Sequence, residues 1–173
     1  MDINKLKRIK LLLLDVDGVL TNGSIIYNDN GAETKIFNVK DGLGIRLLMK
    51  AGIKVGIVTG RTSKALYHRC TNLGISLIFD GVHEKSSALN IISEKTGLLA
   101  EEIAFVGDDL LDLPLLKKVG FSIAVADAHE TVLDNVDMVT SKKGGDGAVR
   151  EVCDAILKAR GSWKKILEIS GWG

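Results

Sequence analysis

The chain alternates short runs of apolar residues with longer segments in which apolar residues recur every three or four positions. Short apolar runs are typical of buried strands, and the longer pattern is typical of helices that bury one face. The predicted strands are KLLLLDV (10–16), IKVGIVT (53–59), ISLIF (75–79), EIAFVG (102–107), FSIAVA (121–126) and DMVT (137–140). Strands that alternate with helices predict an α/β domain of Rossmann-like, three-layer α/β/α type with a mainly parallel sheet.

One segment, SIIYNDNGAETKIFNV (24–39), departs from this rhythm. Two β-rich arms flank Asn-Asp-Asn-Gly, and a glycine such as Gly31 suits the positive φ of a tight turn, so this segment predicts a β-hairpin. Because the hairpin follows the first strand, we expect it at the carboxyl end of that strand, as a lid or as an oligomer contact. We expect a single domain over residues 1–160 and a C-terminal tail over residues 161–173.

Composition narrows the class of protein. The 173 residues are 46% hydrophobic with a single proline, which suits one well-packed domain. Lys and Arg number 23 against 22 Asp and Glu, so no overall field favours nucleic acid or an anionic membrane. The apolar run near the N-terminus is too short for a signal peptide or a membrane span. The two cysteines, Cys70 and Cys153, have no metal-ligand or redox spacing, which predicts reduced buried thiols in a cytoplasmic protein.

Polar residues follow three of the predicted strands. Asp15 and Asp17 follow the first, Thr59 the second, and Asp108 the fourth. Ligands of open parallel sheets bind outside the carboxyl ends of the strands, so these side chains are expected to converge. Clustered carboxylates repel one another unless a cation holds them, and oxygen ligands without His or Cys suit Mg²⁺. Such a site is suited to phosphoryl transfer, in which positioning and charge neutralisation supply most of the catalysis.

The motifs identify the chain by resemblance. DVDGVLT (15–21), VTGR (58–61), Lys85 and GDDLLD (107–112), in that order, resemble the haloacid dehalogenase superfamily of phosphatases. Three further segments are similar to the small branch that lacks a cap domain and includes the octulosonate phosphatases. They are FNVKDGLGI (37–45), VADAH (125–129) and GGDGAVREV (144–152). The gaps between the motifs are too short for a cap domain, and the resemblance stops before residues 161–173.

The resemblance implies roles for the acids. Asp15 would be the nucleophile that forms an aspartyl-phosphate, and it would also bind the metal. Asp17 would be the general acid and base and would give its backbone carbonyl to Mg²⁺. Asp108 would complete the metal ligands. Asp109 and Asp112 would support them, by holding metal-bound water or by orienting the lysine.

The resemblance also implies a substrate, a phosphorylated 2-keto sugar acid, and cations that bind it. Thr59 would hydrogen-bond the phosphoryl oxygens and Lys85 would offset the charge of the transition state. Gly60 and Arg61 belong to the Thr-Gly-Arg triplet that favours octulosonate 8-phosphate over a nonulosonate 9-phosphate. Further candidate substrate-binding cations are Lys40, which is expected to reach a neighbouring subunit's site, and Arg150. Members of this branch resemble homotetramers in which neighbouring subunits close each pocket, and we expect the same here.

Two other classes remain open. A phospho-accepting receiver domain also uses acids at strand ends with Mg²⁺, Thr and Lys. Asp17 argues against it, because a receiver has its additional acids before the phosphorylated aspartate. A non-catalytic module that holds a partner enzyme is the second alternative, and the intact set Asp15, Asp17, Lys85 and Asp108 argues against it.

Overall fold

The strands follow the predicted apolar runs closely. In this computed structural model, which describes residues 2–172, there are eight strands. They are β1 (Leu11–Leu14), β2 (Ile26–Tyr27), β3 (Glu33–Thr34), β4 (Lys54–Val58), β5 (Leu77–Phe79), β6 (Ile103–Gly107), β7 (Phe121–Ala124) and β8 (Met138–Val139). Six of those described strands form a parallel sheet in the order β5-β4-β1-β6-β7-β8. The predicted α/β fold class is therefore confirmed.

Helices cover both sides of this sheet, as the continuous apolar strands require. They are α1 (Ile3–Arg8), α2 (Val39–Lys50), α3 (Lys64–Leu73), α4 (Lys85–Thr96), α5 (Leu113–Leu116), α6 (Glu130–Leu133), α7 (Ala148–Ala159) and α8 (Trp163–Ile169). Two of these helices end at a glycine in the left-handed conformation: Gly74 after α3 and Gly97 after α4.

Strand β1 is the centre of the fold. It pairs with β4 on one side and β6 on the other, and all four of its leucines are buried. The core includes the large side chains Phe105 and Phe121, both fully buried. Because β1 is central, any residue that follows it lies between the ends of two neighbouring strands.

The predicted hairpin forms, but its paired strands are short. β2 and β3 pair in antiparallel fashion through Ile26 with Thr34 and Tyr27 with Glu33. Gly31 has a φ of 73° in the turn between them. The rest of the predicted arms extends without pairing, because the hairpin projects from the sheet and has no third strand to pair with in the described chain.

A loop near the C-terminal end of the chain braces the segment that follows β1. The backbone N–H of Gly145 donates to the carbonyl of Val19 at 3.0 Å, and Gly144 N–H donates to Asp127 Oδ1 at 2.9 Å. Gly144 lies so close to the backbone of Gly18 that a Cβ atom there would collide with it. The glycines therefore allow two backbones to meet directly behind the acids that follow β1.

Both ends of the described chain contain helices outside the predicted strand and helix pattern. α1 precedes the first strand, and Asp2 caps it by accepting from Asn4 N–H at 2.8 Å. The segment predicted as a tail contains α8, whose Ile166 is buried against the core. The division of the chain at residue 160 stays a prediction, although α8 packs on the same core as the rest.

Two observations bear on the setting of the protein. Among residues 2–172, no helix is both long enough and apolar enough to cross a membrane. Cys70 and Cys153 are free and buried. Burial raises the pKa of the Cys70 thiol to about 11 and also raises that of Cys153, so both thiols stay protonated and unreactive.

The packing of α8 predicts that replacing two isoleucines of this helix has different effects on the free energy of unfolding. Ile166→Ala should lower the free energy of unfolding by about 2 kcal/mol, because it leaves a cavity under the helix. Ile169 is 55% exposed, so Ile169→Ala should change it by less than about 0.5 kcal/mol. Urea unfolding of both variants measures the difference, and equal effects would show that α8 does not belong to the core.

Candidate active site

The polar residues at the strand ends meet in one cavity, because β1 lies between β4 and β6. The cavity has a volume of about 320 Å³. It is lined by Asp15, Asp17, Thr59, Gly60, Arg61, Val82, His83, Lys85, Asp108, Asp109, Leu111 and Asp112. Every residue predicted for catalysis or metal binding thus lies at the same edge of the sheet.

Lys85 links two of the acids. It is the first residue of α4, and its side chain is buried. Its Nζ donates to Asp15 Oδ1 at 2.6 Å and to Asp112 Oδ1 at 2.5 Å. Burial alone would lower the pKa of Lys85, but the charges of Asp15 and Asp112 outweigh burial and raise it, so the side chain stays an ammonium.

Asp112 holds the parts of the site together. While Oδ1 accepts from Lys85, its Oδ2 accepts from the backbone N–H of Asp108 at 2.8 Å and of Asp109 at 3.2 Å. Gly107 permits this arrangement, since a Cβ at that position would lie 2.6 Å from Asp112 Oδ2. Both oxygens of Asp112 are therefore engaged within the protein, which suits the predicted role of orienting the lysine.

Three carboxylates approach one another closely. One oxygen from each of Asp15, Asp108 and Asp112 lies within 4.8 Å of the others. Burial, opposed by Lys85 and assisted by Asp112, raises the pKa of Asp15 to about 7. Burial together with the charges of Asp15 and Asp112 raises the pKa of Asp108 to about 8. Both shifts arise chiefly from burial, and the one cation in contact with the cluster, Lys85, does not offset it.

This donor set fits a magnesium ion. Mg²⁺ takes oxygen ligands and is usually held by one or two carboxylates together with substrate and water. Asp15 and Asp108 are the acids best placed to bind it, because Asp112 already accepts hydrogen bonds through both oxygens. Gly18, with a φ of 96°, lets the backbone after Asp17 pass directly against the Asp108 carboxylate. That approach suits the predicted use of the Asp17 carbonyl as a ligand.

The side chain of Asp17 lines the same cavity but is paired with other residues than the three-acid cluster. Its Oδ1 accepts from Lys35 Nζ, and its Oδ2 lies 3.5 Å from Arg61 Nε. Lys35 and Arg61 in turn bind Glu33 of the hairpin, at 2.9 and 3.1 Å. The two acids after β1 therefore serve different surroundings, Asp15 in the cluster and Asp17 beneath the hairpin.

The other predicted site residues divide into two groups. Thr59 is buried and Gly60, Arg61 and Asp109 line the cavity, where Asp109 also caps the short helix Leu110–Asp112 by accepting from Leu110 N–H at 2.7 Å. Lys40 and Arg150 do not line it. They lie in a separate cavity beside α1 and α7.

Neither residue lines the cavity of its own chain, so the predictions that Arg150 binds substrate and that Lys40 reaches a neighbouring subunit's site stay predictions. Arg150 lies in the first turn of α7, and its Nε donates to Asp154 Oδ1 one turn along the same helix at 2.7 Å. Lys40 lies in the first turn of α2. Both were assigned by charge alone, and charge does not tell which side of the sheet a helix presents.

Sequence reasoning missed three residues of the hairpin that reach the site: Tyr27, Glu33 and Lys35. A signal was present in the second arm, where charged and uncharged residues alternate with the period of a strand. His83 also lines the cavity, and it is exposed.

Comparison with known proteins agrees with this geometry. A family model described as haloacid dehalogenase-like hydrolase matches residues 74–152. The 3-deoxy-D-manno-octulosonate 8-phosphate phosphatase KdsC of Escherichia coli K12 is 49% identical over 159 residues, which cover 92% of this chain and 85% of that protein. This chain therefore belongs to the haloacid dehalogenase-like hydrolases, in the family of the octulosonate 8-phosphate phosphatases.

Solved structures of similar proteins contain ligands. The crystal structure of the corresponding phosphatase from Moraxella catarrhalis, in complex with magnesium, phosphate and KDO, is 43% identical with a TM-score of 0.94. The match covers 97% of this chain and 97% of that one. A cobalt-bound form of the phosphatase from Haemophilus influenzae is 48% identical with a TM-score of 0.88, and the match covers 91% of this chain and 92% of that one. The resemblance drawn from the motifs is confirmed.

The raised pKa values of Asp15 and Asp108 predict a pH-dependent effect of metal. Between the ordinary pKa near 4 and the folded values near 7 and 8, the folded chain binds more protons than the unfolded chain, so stability without metal falls as pH rises. Mg²⁺ should thus raise the melting temperature more at pH 8 than at pH 5.

A variant that removes one charge from the three-acid cluster tests whether the cluster causes this effect. In the presence of EDTA at pH 8, Asp108→Asn should melt a few degrees above the parent, since each kcal/mol shifts the melting temperature of a chain of this size by about 2–4 °C. The same variant should lose most of the stabilisation by Mg²⁺. Thermal melts of parent and variant with and without metal test this, and a variant that melts below the parent in EDTA would contradict it.

Proposed function

We propose that this protein is a Mg²⁺-dependent phosphatase that converts 3-deoxy-D-manno-octulosonate 8-phosphate to the free sugar acid and phosphate. The observation that carries the proposal is the arrangement of Asp15, Lys85 and Asp108 at one end of the central strand. The relatives of known name that match nearly the whole chain support the same substrate.

Asp15 is the nucleophile in this proposal. Its carboxylate attacks phosphorus, the bond from phosphorus to the sugar oxygen breaks, and an aspartyl-phosphate forms. Lys85 holds Asp15 in place and offsets the negative charge that develops on the phosphoryl oxygens. Thr59, buried at the end of β4, offers its hydroxyl to the same oxygens.

Asp17 handles the protons. It gives a proton to the sugar oxygen as that group leaves, and then takes one from the water that attacks the aspartyl-phosphate. This second attack breaks the bond from Asp15 to phosphorus and releases phosphate. A receiver domain needs no such turnover, so the presence of Asp17 beside the cavity favours an enzyme.

Magnesium would be held by Asp15, Asp108 and the Asp17 carbonyl, and when bound it neutralises the phosphate charge and helps to align the group for attack. The protein's own part is to hold the ligands rigidly. Asp112 does so through the backbone of residues 108 and 109, and the glycines 18 and 107 allow the close approach.

Arg61 supports a substrate that carries a carboxylate as well as a phosphate. Its side chain lines the cavity and is 40% exposed, so a guanidinium nitrogen is accessible to a bound anion. A nonulosonate 9-phosphate is the second candidate substrate, because it carries the same two groups. The cavity of about 320 Å³ belongs to a single chain without a cap domain, which suits a small sugar phosphate.

Activity measurements test the proposal directly. The parent protein with Mg²⁺ should release phosphate through many turnovers from octulosonate 8-phosphate, with a kcat/KM about 10-fold or more above that for a nonulosonate 9-phosphate. Asp15→Asn should lower kcat by at least about 10³-fold, because the amide is not a nucleophile. Release of a single phosphate per chain, or an Asp15→Asn variant as active as the parent, would contradict a phosphatase with this nucleophile.

We also propose that the protein is a homotetramer in which the hairpins pack together. The support is a group of large apolar side chains that are exposed on the hairpin and on the chain beside it. They are Ile25, Ile26, Ile36 and Val39. Exposed apolar side chains that gather in one segment in this way mark interaction surfaces. The buried free thiols are consistent with a cytoplasmic protein, which we propose as its location.

The hairpin surface predicts a change in mass. Ile36 is 65% exposed and lies outside the cavity, so Ile36→Glu should place charge in the interface and dissociate the tetramer. Sedimentation velocity of parent and variant at the same concentration measures this. A parent that sediments as a monomer would contradict the tetramer, and an unchanged tetramer in Ile36→Glu would show that the interface lies elsewhere.

A further inference from the structure

The second arm of the hairpin presents alternate side chains to two sides. Glu33 and Lys35 are largely covered and face the residues that follow β1 and β4, while Thr34 and Ile36 are exposed. This is the period of an extended strand, in which successive side chains point to opposite faces. One face of the hairpin is therefore available for other subunits, and the other is turned toward the active site of its own chain.

Lys35 is buried to an extent that is unusual for a lysine on a projecting hairpin. Its side chain is 2% exposed, and its ammonium bridges Asp17 and Glu33. Burial opposes the charge, but the hydrogen bonds to the two acids outweigh burial and raise the pKa of Lys35, so it remains an ammonium. A buried ion pair contributes little net stability, and its better attested value is to fix a particular geometry.

The geometry that Lys35 fixes is that of Asp17. Lys35 binds Oδ1, and the other carboxylate oxygen, Oδ2, is buried without a hydrogen-bond partner among residues 2–172. Oδ2 does lie 3.5 Å from Arg61 Nε, but that contact is an ion pair without a hydrogen bond. A carboxylate hydrogen-bonded at one oxygen and not at the other has a defined orientation and one site for a proton. This is the arrangement that a general acid and base requires.

Two other hairpin residues act in the same way on Arg61. Tyr27 and Glu33 lie opposite each other across the hairpin, and the Nη2 of Arg61 donates to the Tyr27 hydroxyl and to Glu33 Oε1, each at 3.1 Å. Within residues 2–172 its Nε is buried without a hydrogen-bond partner. The hairpin thus restrains Nη2, while Nε lies 3.5 Å from Asp17 Oδ2, which leaves Nη1 with capacity for an anion.

We propose that the hairpin positions two active-site residues of its own subunit: Lys35 orients Asp17 for proton transfer, and Glu33 with Tyr27 orients Arg61 for the substrate's carboxylate. This inference rests on the proposed function and extends it to residues that do not touch the substrate. The two roles predict different kinetic effects. Every phosphate ester shares the step in which Asp17 takes a proton from the water that attacks the aspartyl-phosphate, whereas only a sugar acid makes the carboxylate contact.

The proposed role of Lys35 is tested with Lys35→Met, which keeps the length of the side chain and removes the ammonium. We expect kcat to fall about 10- to 100-fold both for octulosonate 8-phosphate and for p-nitrophenyl phosphate, with KM changed less than about 3-fold. Thr34→Ser, on the outer face of the same strand, is the control and should match the parent. Lys35→Gln provides a second variant, and thermal melts identify those that fold. Folded Lys35 variants with parental kcat would overturn the proposed role of Lys35.

The proposed role of Glu33 is tested with Glu33→Gln, which keeps the size of the side chain and one hydrogen-bonding oxygen but removes the charge. We expect KM for octulosonate 8-phosphate to rise, so that its kcat/KM falls about 10-fold relative to that for p-nitrophenyl phosphate, which has no carboxylate. Equal losses for the two substrates would indicate a general disturbance of the fold and would overturn the assignment.

A mixing experiment tests whether the hairpin acts on its own subunit. Chains carrying Asp15→Asn and chains carrying Lys35→Met are unfolded together, refolded, and compared with the same two chains refolded separately. Because each site takes both residues from one chain, mixing should recover no activity above the sum of the separate samples. Recovery of a quarter or more of parental activity would show that Lys35 serves a neighbouring subunit and would overturn the proposal.

These outcomes are separable from failure of the proposed function. If the parent hydrolyses p-nitrophenyl phosphate but not octulosonate 8-phosphate, the proposed substrate is wrong. The proposed role of Glu33, which depends on that substrate, is then wrong as well. The effect of Lys35→Met on kcat for p-nitrophenyl phosphate still tests whether Lys35 orients Asp17. If the parent hydrolyses both esters and the hairpin variants match it, the function stands and the role of the hairpin is overturned.

Discussion

The repulsion among Asp15, Asp108 and Asp112 is the constraint around which the rest of the structure is arranged. Two unit charges about 4 Å apart interact by roughly 4 kcal/mol at the effective dielectric typical near a protein surface. A single buried ammonium, that of Lys85, contacts two of the three acids. The fold must therefore hold the third by backbone constraints, and it does so through the glycines and the hydrogen bonds that Asp112 accepts from the backbone. A rigid arrangement of excess negative charge is what a divalent cation binds.

The second group of charges, beneath the hairpin, is balanced. Asp17 and Glu33 face Lys35 and Arg61, two acids against two cations. The contrast separates the two carboxylates that follow β1. Asp15 belongs to a cluster of three acids in contact with one cation, whereas Asp17 belongs to a group with as many cations as acids. Neighbours in sequence thereby acquire different chemical duties, because the chain turns between them and Gly18 follows with a backbone conformation that other residues rarely adopt.

Much of the fold follows from local patterns in the sequence. Strands β1, β6 and β7 are buried throughout, and β4 is buried after its first residue, so their apolar runs are continuous. The polar residues that follow three of these strands mark the ligand-binding edge. The site acids were predictable for that reason. The positions of Lys40 and Arg150 were not, because a charge in the first turn of a helix carries no information about which surface the helix faces. The contacts of Lys35 and Glu33 were also inaccessible, since they depend on how far a short hairpin leans over the sheet.

The bond between Gly145 and Val19 joins the segment after the first strand to a segment near the far end of the chain. During synthesis, which proceeds from the N-terminus, the nucleophile leaves the ribosome early, but the backbone that braces its loop emerges only after most of the domain has been made. The loop that carries Asp15 and Asp17 therefore lacks this support until residue 145 has been made.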